Sequence, residues 1–415
     1  MPTSLTRRFS KIHYGWVISL TGTAVIFACL GLGRFALGML LPAMGTALDL
    51  SYARMGLIST GNFTGYMFAV AIAGYVAQRL GARWTIALGL VMVGSTIMLV
   101  GRAEHYYQIL PLYVATGIGS GLSNVPLMGL VSHWFVKEAR GRAAGIMISG
   151  NGIAILCAGL YVPWINTRFG LEGWRYGWVT MGIVVLGVAV MSAMFLRNNP
   201  SEKGTTPMGR PEAAPNCTAD AQDTPSEKFR WIMVHLGLIY ALFGATYVVY
   251  ATFIVTTLVD EYGFSEQVAG NFWAVVGALS IFSGPLFGWL SDRLGRRTGM
   301  LIVFTLFTTA YGLVGMQLPV IWLYASIAVY GIVVWSVPTI MAAAVGDYLG
   351  PNRAAKAFGF VTLYFGTGQI FGPVLAGFIA DSSGTFRSAF GMCAVATLTA
   401  VILAFFLPRT RNDIS

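Results

Sequence analysis

The sequence predicts an all-α membrane protein, with twelve transmembrane helices in two pseudo-symmetric six-helix bundles. Three observations carry that expectation. Of 415 residues, 56% are hydrophobic and 10% charged, with a mean hydropathy of +0.69, against roughly 25% charged residues in an ordinary soluble domain. Apolar runs at or beyond the ~20 residues a bilayer crossing needs recur along the chain without a polar face. The first half of the chain also repeats in the second, at an offset of roughly 210 to 214 residues.

Taken in order, the runs predict helices near 12–44, 55–78, 84–102, 107–133, 143–166 and 174–196, then 230–259, 266–290, 298–317, 320–346, 355–380 and 387–407. Met1 to Lys11 is basic and polar, and the run after it continues without a small-residue cleavage site. It therefore reads as a first span and not as a removed signal peptide. Between the two sets, residues 197–229 are rich in Pro, Thr, Glu and Lys, the composition of a solvated linker. The expected organisation is an N-terminal bundle over 1–196, a linker over 197–229, and a C-terminal bundle with a short tail over 230–415.

Charge placement orients the chain. The formal net charge is +10, with 26 Lys and Arg. Twenty of the 26 fall in the N-terminus, the even-numbered loops, the linker and the C-terminus; Arg54, Arg102, Arg168, Arg175 and Arg387 fall on the other side. This bias places both termini and the linker in the cytoplasm of a multi-pass protein of a bacterial inner (plasma) membrane. Basic residues confined to short segments between apolar runs argue against a nucleic-acid partner. Cys29, Cys157 and Cys393 lie in apolar runs and Cys217 in the linker, without paired or metal-ligand spacing, so neither a disulfide nor a metal is expected. No HExxH, paired carboxylates or phosphate loop is present, which argues against an enzyme, a bound cofactor or an ATP-driven pump.

The repeat is carried by three pairs. Gly74-Tyr-Val-Ala-Gln-Arg-Leu-Gly-Ala-Arg83 matches Gly288-Trp-Leu-Ser-Asp-Arg-Leu-Gly-Arg-Arg297, Asn124-Val-Pro126 matches Ser336-Val-Pro338, and Arg142-Ala-Ala matches Arg353-Ala-Ala. A parallel duplication of this kind is the mark of transporters whose halves rock about a central site. On these residues the whole chain resembles the major facilitator superfamily, a resemblance that implies alternating access, a monomer, and gating by the loop motif. Its candidate gating residues are Arg79, Arg83, Asp292, Arg293 and Arg296. The motif is complete in the second copy, whereas Gln78 replaces the acid in the first.

The run Arg140-Gly-Arg-Ala-Ala-Gly145, Pro42, and Gly150-Asn-Gly152 resemble the monocarboxylate and oxalate/formate group, while Gly31-Leu-Gly-Arg-Phe35 resembles a poorly characterised bacterial branch. Gly284 stands where that group commonly carries an arginine in helix eight. Anion binding is therefore expected to have moved to helix one, at Arg34. A guanidinium inside a span costs several kcal/mol unless it meets a wet cavity or a partner, and its fork suits a carboxylate. Snorkelling to the outer margin is the bland alternative. Each of the 16 acids falls in a loop or at a helix end, so a ligand is the expected counter-charge.

Around Arg34 the candidate binding residues are Asn62 and Tyr66, four apart on one helix face, Asn124 and Asn151, and Tyr247, Trp335 and Tyr364. Tyr240, Tyr250 and Gln369 extend the supply of aromatic and amide groups in the second half. His235 is the one histidine considered for a proton role. The expected function is secondary transport of a small organic anion, a monocarboxylate such as lactate, with proton symport favoured over exchange for a counter-anion. An exporter of hydrophobic or cationic compounds is the alternative, and would be expected to embed an acid.

Overall fold

The computed structural model describes residues 13–209, 227–316 and 318–408. Arg7, Arg8, Lys11, Arg210, Cys217, Arg409 and Arg411 lie outside these residues, and the side chain of Lys228 is likewise not described. Among the described residues the regular structure is helical, apart from one isolated bridge between Phe135 and Met208. Eleven helical runs are long and apolar enough to cross a membrane, and one of them, the 57-residue run Ala139–Phe195, contains two helices joined at Gly170–Glu172. The expected twelve spans are thus present.

They are α1 (Tyr14–Leu48), α2 (Tyr52–Leu80), α3 (Ala82–Val100), α4 (Tyr106–Trp134), α5 (Lys137–Phe169), α6 (Gly173–Phe195), α7 (Glu227–Asp260), α8 (Glu266–Leu294), α9 (Arg296–Gly315), α10 (Ile321–Leu349), α11 (Pro351–Ser383) and α12 (Arg387–Phe405). The first six pack through α2 on α4, α3 on α4 and α3 on α6, and the last six through α8 on α10, α9 on α12 and α7 on α11. The bundles meet along α5–α8 and α2–α11, two pairs exchanged by the pseudo-symmetry, with α1 against α7 between them.

Small residues let these interfaces close. A Cβ on Gly159 would meet the Gly270 carbonyl oxygen at 2.5 Å, and one on Gly38 would meet that of Ala251 at 2.2 Å, so the backbones touch as in other small-residue membrane contacts. The one-residue turns after α2 and α8 sit on Gly81 and Gly295, with φ of 81° and 88°. A side chain there would be strained.

Two spans depart from continuous α-helix. In α1 the stretch Phe27–Phe35 is π-helical. Side chains of neighbouring helices bond carbonyls along it: Ser120 Oγ donates to Cys29 O at 2.6 Å, Asn62 Nδ2 to Gly33 O at 3.5 Å and the Tyr113 hydroxyl to Arg34 O at 3.4 Å. Non-α backbone at membrane depth needs such partners. The tenth span breaks between Ile321–Val333 and Ser336–Leu349. Pro338 lacks a backbone donor, and the Trp335 N–H donates instead to Ser283 Oγ at 3.0 Å.

The start of the expected linker is folded. Pro200–Lys203 forms a 3-10 turn with a capping box at Asn199 and Glu202. Asn198 Oδ1 accepts from the Arg83 N–H, and the Met208 N–H donates to Trp134 O at 2.8 Å. Solvated composition is overridden here because these backbone groups find partners on the first bundle.

The bundles are latched at the face opposite the one where α1 begins. The Asp381 carboxylate, at the end of α11, accepts from Tyr52 N (2.8 Å) and Ala53 N (3.0 Å), the first residues of α2. The Tyr52 hydroxyl donates to Asp260 Oδ2 at 3.2 Å, and Asn166 of α5 donates to Glu266 of α8 at 2.7 Å. These are symmetry-related corners. At the other face Gly74, Gly129, Gly145, Gly346 and Gly359 have nothing within 4 Å of a built Cβ, so α2, α4, α5, α10 and α11 are not in close contact at these positions. Removing the carboxylate in Asp381→Ala, at a half-solvated site where each lost hydrogen bond is worth about 1 kcal/mol, is expected to raise the far-face-open population about tenfold. Labelling of Thr46→Cys, which lines a pocket of about 310 Å³ beside the latch, by an impermeant maleimide checks this; unchanged labelling would show that the latch carries no weight.

Candidate functional site

Arg34 is 8% exposed and sits one residue before the end of the π stretch. Its Nε donates to Asn62 Oδ1 at 3.0 Å, a fully buried amide on α2. Its guanidinium carbon lies 4.3 Å from the ring centroid of Phe63 and 4.5 Å from that of Tyr66. Arg34 therefore does not snorkel. Cation–π contacts worth about 0.5–2 kcal/mol each and one charge-assisted bond hold it, yet they leave its formal charge uncompensated. The salt bridges among the described residues are Arg175–Glu172, Arg296–Asp292 and Arg296–Asp347, none of which involves it. Its Nη2 is buried without a hydrogen-bond partner.

The pair Asn62 and Tyr66 faces the guanidinium, as the four-residue spacing allows, and Asn62 Nδ2 also donates to Tyr113 O at 3.4 Å. Asn124 joins from α4, donating to the Tyr66 hydroxyl at 2.7 Å. From the other bundle, Tyr247 approaches closely enough to interact with the Arg34 charge, and Gln369 Nε2 donates to its hydroxyl at 2.5 Å. Trp335 lies edge-on to Phe35 at 5.4 Å and to Tyr247 at 6.0 Å. Its indole Nε1 is buried and unpartnered. Six expected residues, Arg34, Asn62, Tyr66, Asn124, Tyr247 and Trp335, are thus brought together across both bundles.

Asn151 lies on α5, 4% exposed, with Oδ1 unpartnered. Tyr364 is not in the cluster: it packs against Gly237 and 5.3 Å from Phe360. Its neighbour Phe365 holds the inward place, stacked on Tyr240 at 4.4 Å and 5.8 Å from Tyr247. Phe365 and Gln369 are four apart and share a face, a spacing that favours Phe365 over the expected Tyr364. Tyr250 turns into the second bundle, 3.8 Å from Tyr330. Phe63 and Tyr113 carried no sequence signal, because only their neighbours on other helices give them a role. His235 is elsewhere too, with Nε2 2.7 Å from Leu403 O and its ring stacked on Trp231.

The loop-motif residues lie at the face bearing the start of α1. Arg296 bonds Asp292 (2.5 Å), Asp347 (2.6 Å) and Ser291 (2.9 Å), tying α8, α9 and α10 together. Arg293 lies 4.3 Å over Trp289. In the first copy Gln78 and Ala82 replace that ion pair. There Arg83 donates to Ala193 O at 2.6 Å, and Arg79 is exposed over Tyr75. A cleft of about 620 Å³ opens beside them, lined by Gly74, Gln78, Pro126 and His133 among others.

Comparison with known proteins supports the same architecture. Residues 26–405 match the family model described as "Uncharacterised MFS-type transporter YbfB". The hexuronate transporter of Bacillus subtilis is 26% identical, covering 89% of this chain and 90% of its own. Monocarboxylate transporter 11 of Mus musculus is 26% identical (95% and 88%), and the oxalate:formate antiporter of Oxalobacter formigenes 25% (90% and 84%). A bacterial homologue of the human lysosomal transporter Spinster, solved inward-facing and unoccupied, superposes with a TM-score of 0.71 at 17% identity, over 95% and 96% of the two chains.

Close packing under the site gives a direct check. A Cβ on Gly117 would meet the Asn62 carbonyl oxygen at 1.9 Å, whereas one on Gly129, on the same helix, meets nothing. Gly117→Val is expected to cost about 1–3 kcal/mol through overpacking and to lower Tm by several degrees. Gly129→Val should leave Tm nearly unchanged. Equal melting of the two would contradict the packing described.

Proposed function

We propose that this chain, which belongs to the MFS-type transporter family described as uncharacterised MFS-type transporter YbfB, carries small organic monocarboxylates across the membrane by alternating access. The single observation supporting the anion is the buried Arg34 guanidinium, which no acid pairs among the described residues and whose Nη2 is free to bond. Its relatives carry names of organic-anion transporters. One embedded cation suits one carboxylate, hence a short acid such as lactate. A cationic drug would meet like charge there, which counts against the exporter alternative.

In this reading the bundles 1–196 and 230–415 move about the linker as units, in a monomer of the bacterial inner membrane. The Lys and Arg bias makes the face bearing the start of α1 cytoplasmic, so the Asp381 latch closes the outside and the cavity faces in. Arg34 binds the carboxylate. Asn62 fixes the guanidinium, Tyr66 and Asn124 line the first bundle's wall, and Tyr247 and Trp335 close from the second. The motif residues Arg79, Arg83, Asp292, Arg293 and Arg296 act at the inner gate.

Coupling follows from the same charge. To rock while empty, the protein would carry an uncompensated cation through a closed, dry state, at a cost of several kcal/mol. With a carboxylate bound the pair is neutral. This supports exchange of one anion for another over proton symport carried by a residue, since His235, the residue expected for that role, bonds a carbonyl of α12 instead; a proton carried on the substrate is the remaining route for symport.

Purified protein is expected to be stabilised by short monocarboxylates in thermal-shift assays, because a ligand binding only the folded form raises Tm. Arg34→Gln should lose that response while melting, without ligand, no lower than the parent, since it removes an unpaired buried charge. Uptake into proteoliposomes should rise with internal unlabelled acid and not with acidic external pH. Stabilisation by cations or apolar drugs that survives Arg34→Gln would make the exporter the better reading.

A further inference from the structure

Among the buried polar atoms that lack partners are Arg34 Nη2 and Trp335 Nε1, in the cluster, and Asn151 Oδ1, on α5. Two are donors and one is an acceptor, and such groups are costly to leave unmet. A carboxylate accepts only, so it can answer the guanidinium and the indole but not the amide oxygen. Whatever meets Asn151 must donate.

The packing of α5 directs Asn151 inward. Gly150 abuts Thr23 O and Phe27 N of α1, and Ala154 meets Gly31, so Asn151 lies level with the π stretch that carries Arg34. On its other side Gly152 abuts Gly277 O of α8. Ile155, Ala158 and Val162, which share Asn151's face at helical spacing, are buried, while Ile153 and Leu160 on the opposite face are exposed. Arg side chains also lean back toward a helix N-terminus, which brings the guanidinium down from Arg34 toward the level of Asn151.

We propose that the substrate is a hydroxylated carboxylate and that Asn151 is a specificity-determining residue that reads its hydroxyl. This rests on the anion reading above. The carboxylate takes the free donors of Arg34 and Trp335, and the hydroxyl donates to Asn151 Oδ1. A plain alkanoate of the same length leaves Asn151 unmet and is bound more weakly.

The test compares lactate with propionate, and 2-hydroxybutyrate with butyrate, by thermal shift and by competition for uptake, in the full-length protein and in Asn151→Ala, Asn151→Leu and Arg34→Gln. The parent should prefer each hydroxy acid about 10- to 100-fold, the scale of one buried hydrogen bond left unmade. Both Asn151 variants should lose hydroxy-acid affinity, retain that for the plain acids, and show a preference below about threefold. Arg34→Gln should bind none of the four. Retained binding of propionate in the Asn151 variants also shows that they fold. A parent that binds each pair equally, while still depending on Arg34, would overturn this inference and leave the anion reading standing. A preference that survives in both Asn151 variants would overturn the role of Asn151. Failure of every acid to bind the parent would overturn both.

Discussion

A guanidinium held inside a bilayer-spanning helix, with no carboxylate partner among the described residues, is the constraint on which the rest of this molecule is arranged. At Arg34 the usual remedies are split among several groups: one amide, two ring faces and the helix's own π winding. Together they orient the charge without cancelling it. In the reading proposed above, a neutralising acid would ease the resting protein but compete with the bound carboxylate. On that reading the protein retains a stability deficit where binding energy is collected.

The two bundles divide the labour unequally. The first supplies the charge and its polar brace, and the second supplies a near-parallel aromatic stack of Tyr240, Phe243, Tyr247 and Phe365. The loop-motif regions show a similar division. In the second copy Arg296 is bonded to two acids and a serine, whereas the first copy lacks both members of that ion pair and holds Arg83 through the Ala193 carbonyl and the Asn198 side chain. The internal repeat gives the frame its pseudo-symmetry, and the two copies depart from it at this ion pair and at Arg34.

The frame was legible in the sequence because composition and periodicity are summed over many residues: all twelve spans, the duplication and the charge bias stood out. Single side chains were legible only where chemistry made them costly. Arg34 and Asn62 could be picked because burying them demands partners, and both are central. Tyr364 could not be separated from Phe365 by residue type, since a one-residue step on a helix turns the side chain by about 100° and nothing in an aromatic pair says which member points inward. The break at Trp335 was similarly hidden: Pro338 announces disruption, but where it falls depends on Ser283 of another helix. His235 is titratable and buried, which makes it conspicuous in a sequence, while its carbonyl partner on α12 is not.

The π stretch from Phe27 to Phe35 changes how this helix can be altered. Over nine residues the backbone winds more widely than an α-helix, so residues on either side keep an angular relationship that depends on how many residues the stretch holds. Deleting one residue between Phe27 and Gly33 without a change of winding would swing everything beyond it by roughly a quarter turn. Gly38 would then leave its seat against Ala251, and Arg34 would leave Asn62. Substitutions within the stretch alter chemistry one position at a time, whereas a change in its length re-aims the charge and the bundle interface together. Length, more than any one side chain, is what inheritance has to hold fixed in this segment.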